Sequence, residues 1–354
     1  MSVGGPRQST SALLAGIARM GTRRSALTWA GLTVSALFAY LAVRHVHFGE
    51  VWDGLRSSNY WWLFPALALL AITVYLKALR WRYLFVRETR PGTHAVVDAL
   101  LIGYFFNSIL PARAGEAARV VALRQRAGTS PAEAAATVVV ERIYDVFVLL
   151  ILLFLAVPWL PHVTWLHTAV VLAFVLAAVI AVAMVVLAVY GVRPVHFALR
   201  PFGRVPFVSA ERLEHIGENL GQGLAGLRRP RLVLAALFWT TIAWLALAVS
   251  TWFVLRGFHL GVPILAALLV VIAANLAQIL PSSPSAVGVF EAATLVALHS
   301  YNIPDSRSLS CALVLHVLNL IPFLVAGIVI LRGTLRTTHP TALEDSALDA
   351  QRSA

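Results

Sequence analysis

The chain has 354 residues, of which 59% are hydrophobic and 12% are charged, compared with roughly 45–50% and 25% in soluble domains. This composition excludes a soluble enzyme with a single membrane anchor, because several apolar runs reach the ~20 residues that cross the hydrocarbon core of a bilayer. The formal net charge of +12 does not indicate nucleic-acid binding, since the arginines cluster between apolar runs, as the positive-inside tendency of membrane proteins predicts.

Six apolar runs are predicted to cross the membrane as helices. The first follows Arg19, Arg23 and Arg24, as the apolar part of a signal peptide would. It is long and has no convincing small-x-small cleavage site, so it is interpreted as a transmembrane helix. In chain order the six runs are residues 25–43, 60–79, 132–157, 168–190, 232–255 and 308–331.

Two further apolar segments are interrupted by proline, at Leu110-Pro111 and at Leu280-Pro281. Proline ends a helix and frees backbone N–H and C=O groups, which are tolerated at membrane depth only against protein or a wet cavity. Ordinary kinks in spanning helices are the alternative interpretation. Each break is followed by a glycine and then by a glutamate, Glu116 or Glu291, so the two are interpreted as a matched pair that frames a polar site.

The arginines indicate how the first break lies in the membrane. If residues 94–126 enter and leave on one face, 23 of the 28 Lys and Arg residues, Lys77 and Arg80 among them, fall on the cytoplasmic side, and Arg142 alone lies within the membrane. A full crossing would instead place the arginine-rich loop 191–231 outside, against the positive-inside tendency. We therefore predict re-entrant hairpins at 94–126 and 262–300 that enter from opposite faces. The matching order of runs in the two halves predicts an inverted repeat, the architecture of many transporters.

The predicted fold class is an all-α polytopic membrane protein with about six full transmembrane helices and two re-entrant helical hairpins. We expect a cytoplasmic N-terminal segment at 1–24, a first membrane repeat at 25–157, a second at 158–332 with a cytoplasmic loop at 191–231, and a flexible cytoplasmic tail at 333–354. The expected location is the cell (inner or plasma) membrane, with both termini in the cytoplasm.

Three charged residues, Glu141, Arg142 and Asp145, lie within the predicted span 132–157. Charges at that depth cost several kcal/mol unless they are paired or hydrated, so such a cluster indicates a functional site. At 100° per residue, Glu141 and Asp145 are about 40° apart around the helix, and all three side chains can face one cavity. A structural ion network that pins this helix to its neighbours is the alternative.

Further candidate binding residues flank the breaks. Arg113, Glu116 and Arg119 lie near the start of a short helix, where free N–H groups and the helix dipole favour anions and arginine offers a planar fork for phosphate. Ordinary cytoplasmic charges at headgroup level are the alternative for the two arginines. The residues predicted to continue the polar lining are Asp98, Tyr104, Asn107, Gln278, Ser282, Ser283, Ser285 and Glu291.

No cofactor, no metal site and no enzymatic activity are expected. Cys311 is the only cysteine, which leaves no Cys-based metal site. The sequence has no GxxxxGK[ST] phosphate loop and Lys77 is its only lysine, so ATP-driven transport by this chain alone is not expected. Nor does it contain an Asp-x-Asp pair, a GxSxG elbow or an HExxH site.

Three ordered motifs resemble the lysylphosphatidylglycerol synthase transmembrane family. They are Asn107-Ser-Ile-Leu-Pro-Ala-Arg-Ala-Gly-Glu-Ala-Ala-Arg119, Glu141-Arg-Ile-Tyr-Asp145 and Leu280-Pro-Ser-Ser-Pro-Ser-Ala-Val-Gly-Val-Phe-Glu291. The resemblance extends over about residues 25–332. The family commonly has Pro-Gly where this chain has Pro284-Ser285, which implies a different backbone turn and a different headgroup. The resemblance implies movement of an amphipathic lipid between leaflets, without the lipid aminoacylation that belongs to a soluble synthase domain.

The leading hypothesis is an ATP-independent flippase or scramblase that moves an anionic or polyprenyl-linked (glyco)lipid through a polar groove inside the membrane. A membrane enzyme or enzyme subunit acting on lipid headgroups, and a secondary transporter of a small anion, are the alternatives. Membrane lipids are the expected partners. A second copy of the chain, or an enzyme of lipid or cell-envelope synthesis, is a further candidate.

Overall fold

The computed structural model describes residues 25–44, 46–85, 90–110, 113–161, 163–190, 229–279 and 283–338. The predicted N-terminal segment, nearly all of the loop 191–231 and most of the tail 333–354 lie outside these residues, as do Pro111, Leu280, Pro281 and the candidate Ser282. Every regular element in the described ranges is helical.

These ranges form eleven α-helices. Short 3₁₀ turns at Tyr60–Trp62, Val157–Trp159 and Pro284–Ala286 precede α3, follow α6 and precede α10. The helices are α1 Ser25–Val43, α2 Phe48–Arg56, α3 Leu63–Leu84, α4 Thr93–Ile109, α5 Gly115–Ala127, α6 Pro131–Ala156, α7 Thr164–Tyr190, α8 Pro230–Gly257, α9 Ile264–Ala277, α10 Val289–His299 and α11 Asp305–Thr338.

Four helical segments in the described part of the chain are long and apolar enough to cross a membrane: Tyr60–Leu84, Leu166–Leu187, Pro230–Gly257 and Asp305–Gly333. They coincide with four of the six predicted spans. The other two predicted spans are helices as well, α1 and α6. Helix α6 has 26 residues, about 39 Å at 1.5 Å per residue, but Glu141, Arg142 and Asp145 interrupt its apolar run. That α1 and α6 cross the membrane stays a prediction.

Helices α3 and α8 form the most extensive helix pair of the bundle. The Ser250 hydroxyl donates a 2.7 Å hydrogen bond to the Ala66 carbonyl, and the rings of Trp62 and Phe253 stack with centroids 5.5 Å apart. Helix α6 packs against both α3 and α8, while α9 and α11 complete the same apolar core. The pair therefore forms a rigid centre around which the shorter helices are arranged.

Helices α4 and α5 lie antiparallel on either side of the first break, which we define as residues 110–114. The amide of Gly115 donates a 2.8 Å hydrogen bond to Asn107 Oδ1, and farther along the pair Arg126 is ion-paired with Asp98 at 2.5 Å. A Cβ on Gly115 would lie 1.9 Å from the Gly103 carbonyl oxygen, so only glycine permits this approach. Helices α9 and α10 also pack against one another across the second break, residues 278–288.

The outer faces of the bundle are apolar. Leu172 and Val182 on α7 are 64% and 63% exposed, and Leu234 on α8 is 66% exposed. Soluble monomers rarely leave extended apolar surfaces of this kind in water, whereas a bilayer covers them at no cost. The composition and the outer surface together are those of a helical membrane protein.

Candidate functional site

A cavity of about 500 Å³ lies between α3, α4, α6, α8, α9 and α11, and residues of both breaks contribute to its wall. The volume is in the range of small-molecule sites in proteins. Its wall combines apolar side chains with an unusual number of ionisable groups for an apolar bundle. The charged residues that line it are Lys77, Arg113, Glu116, Glu141, Arg142 and Asp145.

Arg80 on α3 holds the two acidic residues of α6 together. Its Nη2 lies 2.8 Å from Glu141 Oε1, and its Nη1 forms an ion pair with Asp145 Oδ1. Arg80 is 0% exposed. The residues are in register because Glu141 and Asp145 are one helical turn apart and present both carboxylates to one side of α6. A buried guanidinium with two carboxylates satisfies charges that would otherwise be costly in an apolar interior.

Arg119 and the indole rings of Trp81 and Trp244 make further contacts within this cluster. Arg119 Nη1 lies 3.1 Å from Glu141 Oε1, and its guanidinium stacks 4.7 Å from the centroid of the Trp81 ring, a favourable cation–π geometry. The Trp244 indole donates a 3.1 Å hydrogen bond to Asp145 Oδ1. Helices α3, α5, α6 and α8 are therefore tied together at one point.

Arg142 and Glu116 form the part of the cluster that faces the cavity. Arg142 Nε lies 3.0 Å from Glu116 Oε1, and its Nη1 lies 3.6 Å from Asp145 Oδ2. Arg113 Nη1 lies 3.9 Å from the same Glu116 oxygen. The Arg113 and Arg142 side chains are 41% and 37% exposed, so these guanidinium groups, unlike that of Arg80, are accessible to a ligand.

The two breaks contact one another directly. The Arg113 guanidinium donates to the Gln278 carbonyl, and the Ser285 hydroxyl donates a 3.1 Å hydrogen bond to the Ser108 carbonyl. The amide of Ser283 donates to the Ser35 hydroxyl of α1 at 2.8 Å. Carbonyl and amide groups that the breaks release from helical bonding are thus used to join the two halves of the chain beside the cavity.

Glu291 and His316 form a separate buried pair. One Glu291 oxygen accepts a hydrogen bond from the Gly288 amide at 2.6 Å, which caps α10, and the other lies 2.5 Å from His316 Nδ1. His316 lines the cavity while Glu291 lies behind it. The carboxylate therefore holds both the start of α10 and the orientation of the imidazole.

The structure brings most of the predicted site residues to one place. Asn107, Arg113, Glu116, Glu141, Arg142, Asp145 and Ser283 line the cavity, together with Tyr104, Gln278 and Ser285. Arg119 and Glu291 lie behind residues of the cavity wall. Asp98 forms an ion pair with Arg126. Ser282 lies outside the described residues.

Two cations of α3 went unrecognised in the sequence. The sequence predicts that both face the cytoplasm and that Arg142 is the only cation beside the acidic residues of α6. Arg80 is instead buried against Glu141 and Asp145. The helix continues to Leu84, five residues beyond the predicted end of the span. The sequence did contain a signal for such a cation. Helix α6 has two carboxylates and a single arginine, so a further cation from another helix is needed to balance them.

Comparisons with known proteins agree with this architecture. The family model described as the lysylphosphatidylglycerol synthase TM region matches residues 28–327. A UPF0104 membrane protein, MJ1078 of Methanocaldococcus jannaschii, is 22% identical over 223 residues, which cover 63% of this chain and 91% of that protein. Because the matched region contains both breaks and the whole charged cluster, the chain belongs to the lysylphosphatidylglycerol synthase transmembrane region family.

Proposed function

We propose that this protein is an ATP-independent lipid flippase or scramblase, and not an enzyme, that moves an anionic or polyprenyl-linked (glyco)lipid between the leaflets of the plasma membrane. The observation that carries the proposal is the charged cavity of about 500 Å³ inside an apolar helical bundle. A lipid headgroup needs polar contacts in the bilayer interior while its tails stay in hydrocarbon. Charged side chains are rarely placed there without a functional role.

In this proposal the headgroup passes along the cavity-facing guanidinium groups. Arg113 and Arg142 contact it directly, because both are exposed to the cavity wall. Arg119 acts through Glu141, which it holds at 3.1 Å. Asn107 and Ser283 position the two breaks that border the path. The carboxylates thus keep the arginines in place while a passing anion exchanges with them.

We further propose that α4–α5 and α9–α10 are re-entrant hairpins in an inverted repeat, with six full spans and both termini in the cytoplasm. The antiparallel contacts of α4 and α5 support this arrangement. So does the repeated order of elements, since α3 to α6 and α8 to α11 each consist of a long helix, two short helices around a break, and a second long helix. Paired broken helices of this kind surround the substrate sites of many transporters.

Cysteine labelling tests the orientation. In a Cys311→Ala background, cysteines placed at the exposed positions His94 and Ser130 are expected to react from the cytoplasmic face, and those at the exposed positions Pro263 and Asn302 from the outside. A membrane-impermeant maleimide applied to right-side-out and inside-out vesicles gives the readout. Labelling of His94→Cys and Ser130→Cys from opposite faces would show that the first broken segment crosses the membrane.

Lipid movement tests the function. We expect proteoliposomes to scramble a fluorescent anionic lipid, measured by dithionite bleaching of the outer leaflet, and Arg142→Ala to slow it at least tenfold, since a charge-assisted hydrogen bond contributes about 1.5–3 kcal/mol. Glu141→Ala is expected to impair it as well. Arg44→Ala, on an exposed residue after α1, is the matched control.

The other outcomes identify the alternatives. Scrambling unchanged in both Arg142→Ala and Glu141→Ala would contradict the site assignment. Uptake of a small anion into sealed vesicles without lipid movement would identify a secondary transporter. Chemical conversion of headgroups, followed by lipid mass spectrometry, would identify an enzyme of headgroup metabolism.

A further inference from the structure

Lys77 is a cation of the cavity wall that lies against an indole ring. Its Nζ lies 4.1 Å from the centroid of the Trp244 ring. Among the described residues no carboxylate oxygen lies within the 4.0 Å of an ion pair, although the side chain lines the same cavity as Asp145. The indole face orients the ammonium group and supplies only part of the interaction that a desolvated charge requires.

The carboxylates of the cluster are already occupied by guanidinium groups. Glu141 contacts Arg80 at 2.8 Å and Arg119 at 3.1 Å. Each of the other two acids is also shared by two arginines, Asp145 by Arg80 and Arg142 and Glu116 by Arg142 and Arg113. Each described carboxylate of the cluster is thus shared between arginines, and none of them forms an ion pair with Lys77.

The cluster therefore carries an excess of positive charge. Its cations are Lys77, Arg80, Arg113, Arg119 and Arg142, and its acids are Glu116, Glu141 and Asp145, an excess of two positive charges. Glu291, which also lies near the cavity, is not counted because it is held separately by His316. In an apolar bundle such an excess of positive charge is costly, and it attracts an anion whose negative charge compensates it. It also repels cationic headgroups such as an aminoacylated lipid.

We propose that the cavity binds a headgroup with two negative charges, a phosphate monoester or a diphosphate, and that Lys77 provides its principal point charge. Arg113 and Arg142 supply the planar donors that recognise the remaining phosphate oxygens. The ligand chemistry is that of a dianionic phosphate, on a lipid or free in solution. This inference rests on the proposed function, since it names the headgroup class that the transporter would select.

Binding to the purified full chain in detergent tests this inference. The probes are fluorescent phosphatidic acid, phosphatidylglycerol and lysylphosphatidylglycerol with the same acyl chains, measured by anisotropy at pH 7, where a phosphate monoester carries about 1.5 to 2 negative charges. We expect phosphatidic acid to bind at least tenfold more tightly than phosphatidylglycerol, and lysylphosphatidylglycerol to bind least. Equal affinities for the three lipids would overturn the proposal.

The variants isolate the role of Lys77. Lys77→Met is expected to reduce the preference for phosphatidic acid to about twofold, Lys77→Arg to retain most of it, and the control Arg44→Met to match the unmodified protein. A Lys77→Met protein that keeps the tenfold preference would overturn the assignment. Because Lys77 is the only lysine, protection of its amine from acylation by bound phosphatidic acid gives a second readout, with the N-terminal amine as the internal reference.

Two further measurements separate the sources of the phosphate and the two proposals. Competition by inorganic phosphate at the concentration at which phosphatidic acid binds would assign the site to a soluble ion and overturn a lipid headgroup as its ligand. Equal scrambling of all three lipids, with equal binding, would overturn the charge preference while lipid transport stands. Selective binding of phosphatidic acid without scrambling would support the site and contradict the transport function.

Discussion

Replacing Arg80 with methionine is expected to lower the free energy of unfolding by about 3–5 kcal/mol, because removal of one partner of a buried ion pair leaves the opposite charge uncompensated. Arg80 is 0% exposed and contacts two carboxylates, one of them at 2.8 Å. Methionine fills similar space in the bundle but offers no donor. Thermal unfolding of the detergent-solubilised protein, followed by tryptophan fluorescence, measures the effect.

A charge-matched double variant provides the control. Arg80→Met deprives Asp145 of its ion pair with Arg80. Glu141 remains ion-paired with Arg119 at 3.1 Å in that variant. Adding Asp145→Asn to Arg80→Met removes the carboxylate that has lost its closest cation and keeps only the more distant Arg142, at 3.6 Å. It is expected to restore most of the lost stability, since the amide oxygen can still accept from Trp244. A double variant less stable than Arg80→Met alone would show that packing, and not charge pairing, explains the loss.

Gly115→Ala is expected to cost about 3 kcal/mol or more and to abolish lipid movement, because the new methyl group overfills a closed contact. Its Cβ would lie 1.9 Å from the backbone oxygen of Gly103 and 2.6 Å from Asn107 Oδ1. Backbone cannot yield as a flexible side chain does, so α4 and α5 must separate and the hydrogen bond from Gly115 to Asn107 is lost. The apparent melting temperature and the scrambling rate both report the change.

Gly49→Ala is the matched substitution. Gly49 lies in α2 and a Cβ there meets nothing within 4 Å, so alanine is expected to be neutral or slightly stabilising in that helix. A Gly115→Ala protein with the melting temperature and activity of Gly49→Ala would contradict the close packing of α4 on α5.

The approximate positions of the long helices followed from the sequence alone, whereas the short helix α2 was not predicted. Apolar runs approximate nearly every long helix to within a few residues, because a helix that faces lipid must be apolar over its whole length. The Leu-Pro pairs identified where the apolar helices are interrupted. The spacing of Glu141, Arg142 and Asp145 indicated that they share a face, since residues one turn apart on a helix lie side by side.

Only the tertiary structure decided which charges meet. Arg80 and Asp145 are 65 residues apart in the chain, and no local pattern connects them; their contact exists because α3 crosses α6 at that level. The same packing places Arg119 against Glu141 and leaves Lys77 without an ion pair to any carboxylate that the structure describes. Hydrophobicity therefore determined the elements and the breaks, whereas the pairing of buried charges depended on the arrangement of helices, because the energy of an ion pair depends on distance in space and not along the sequence.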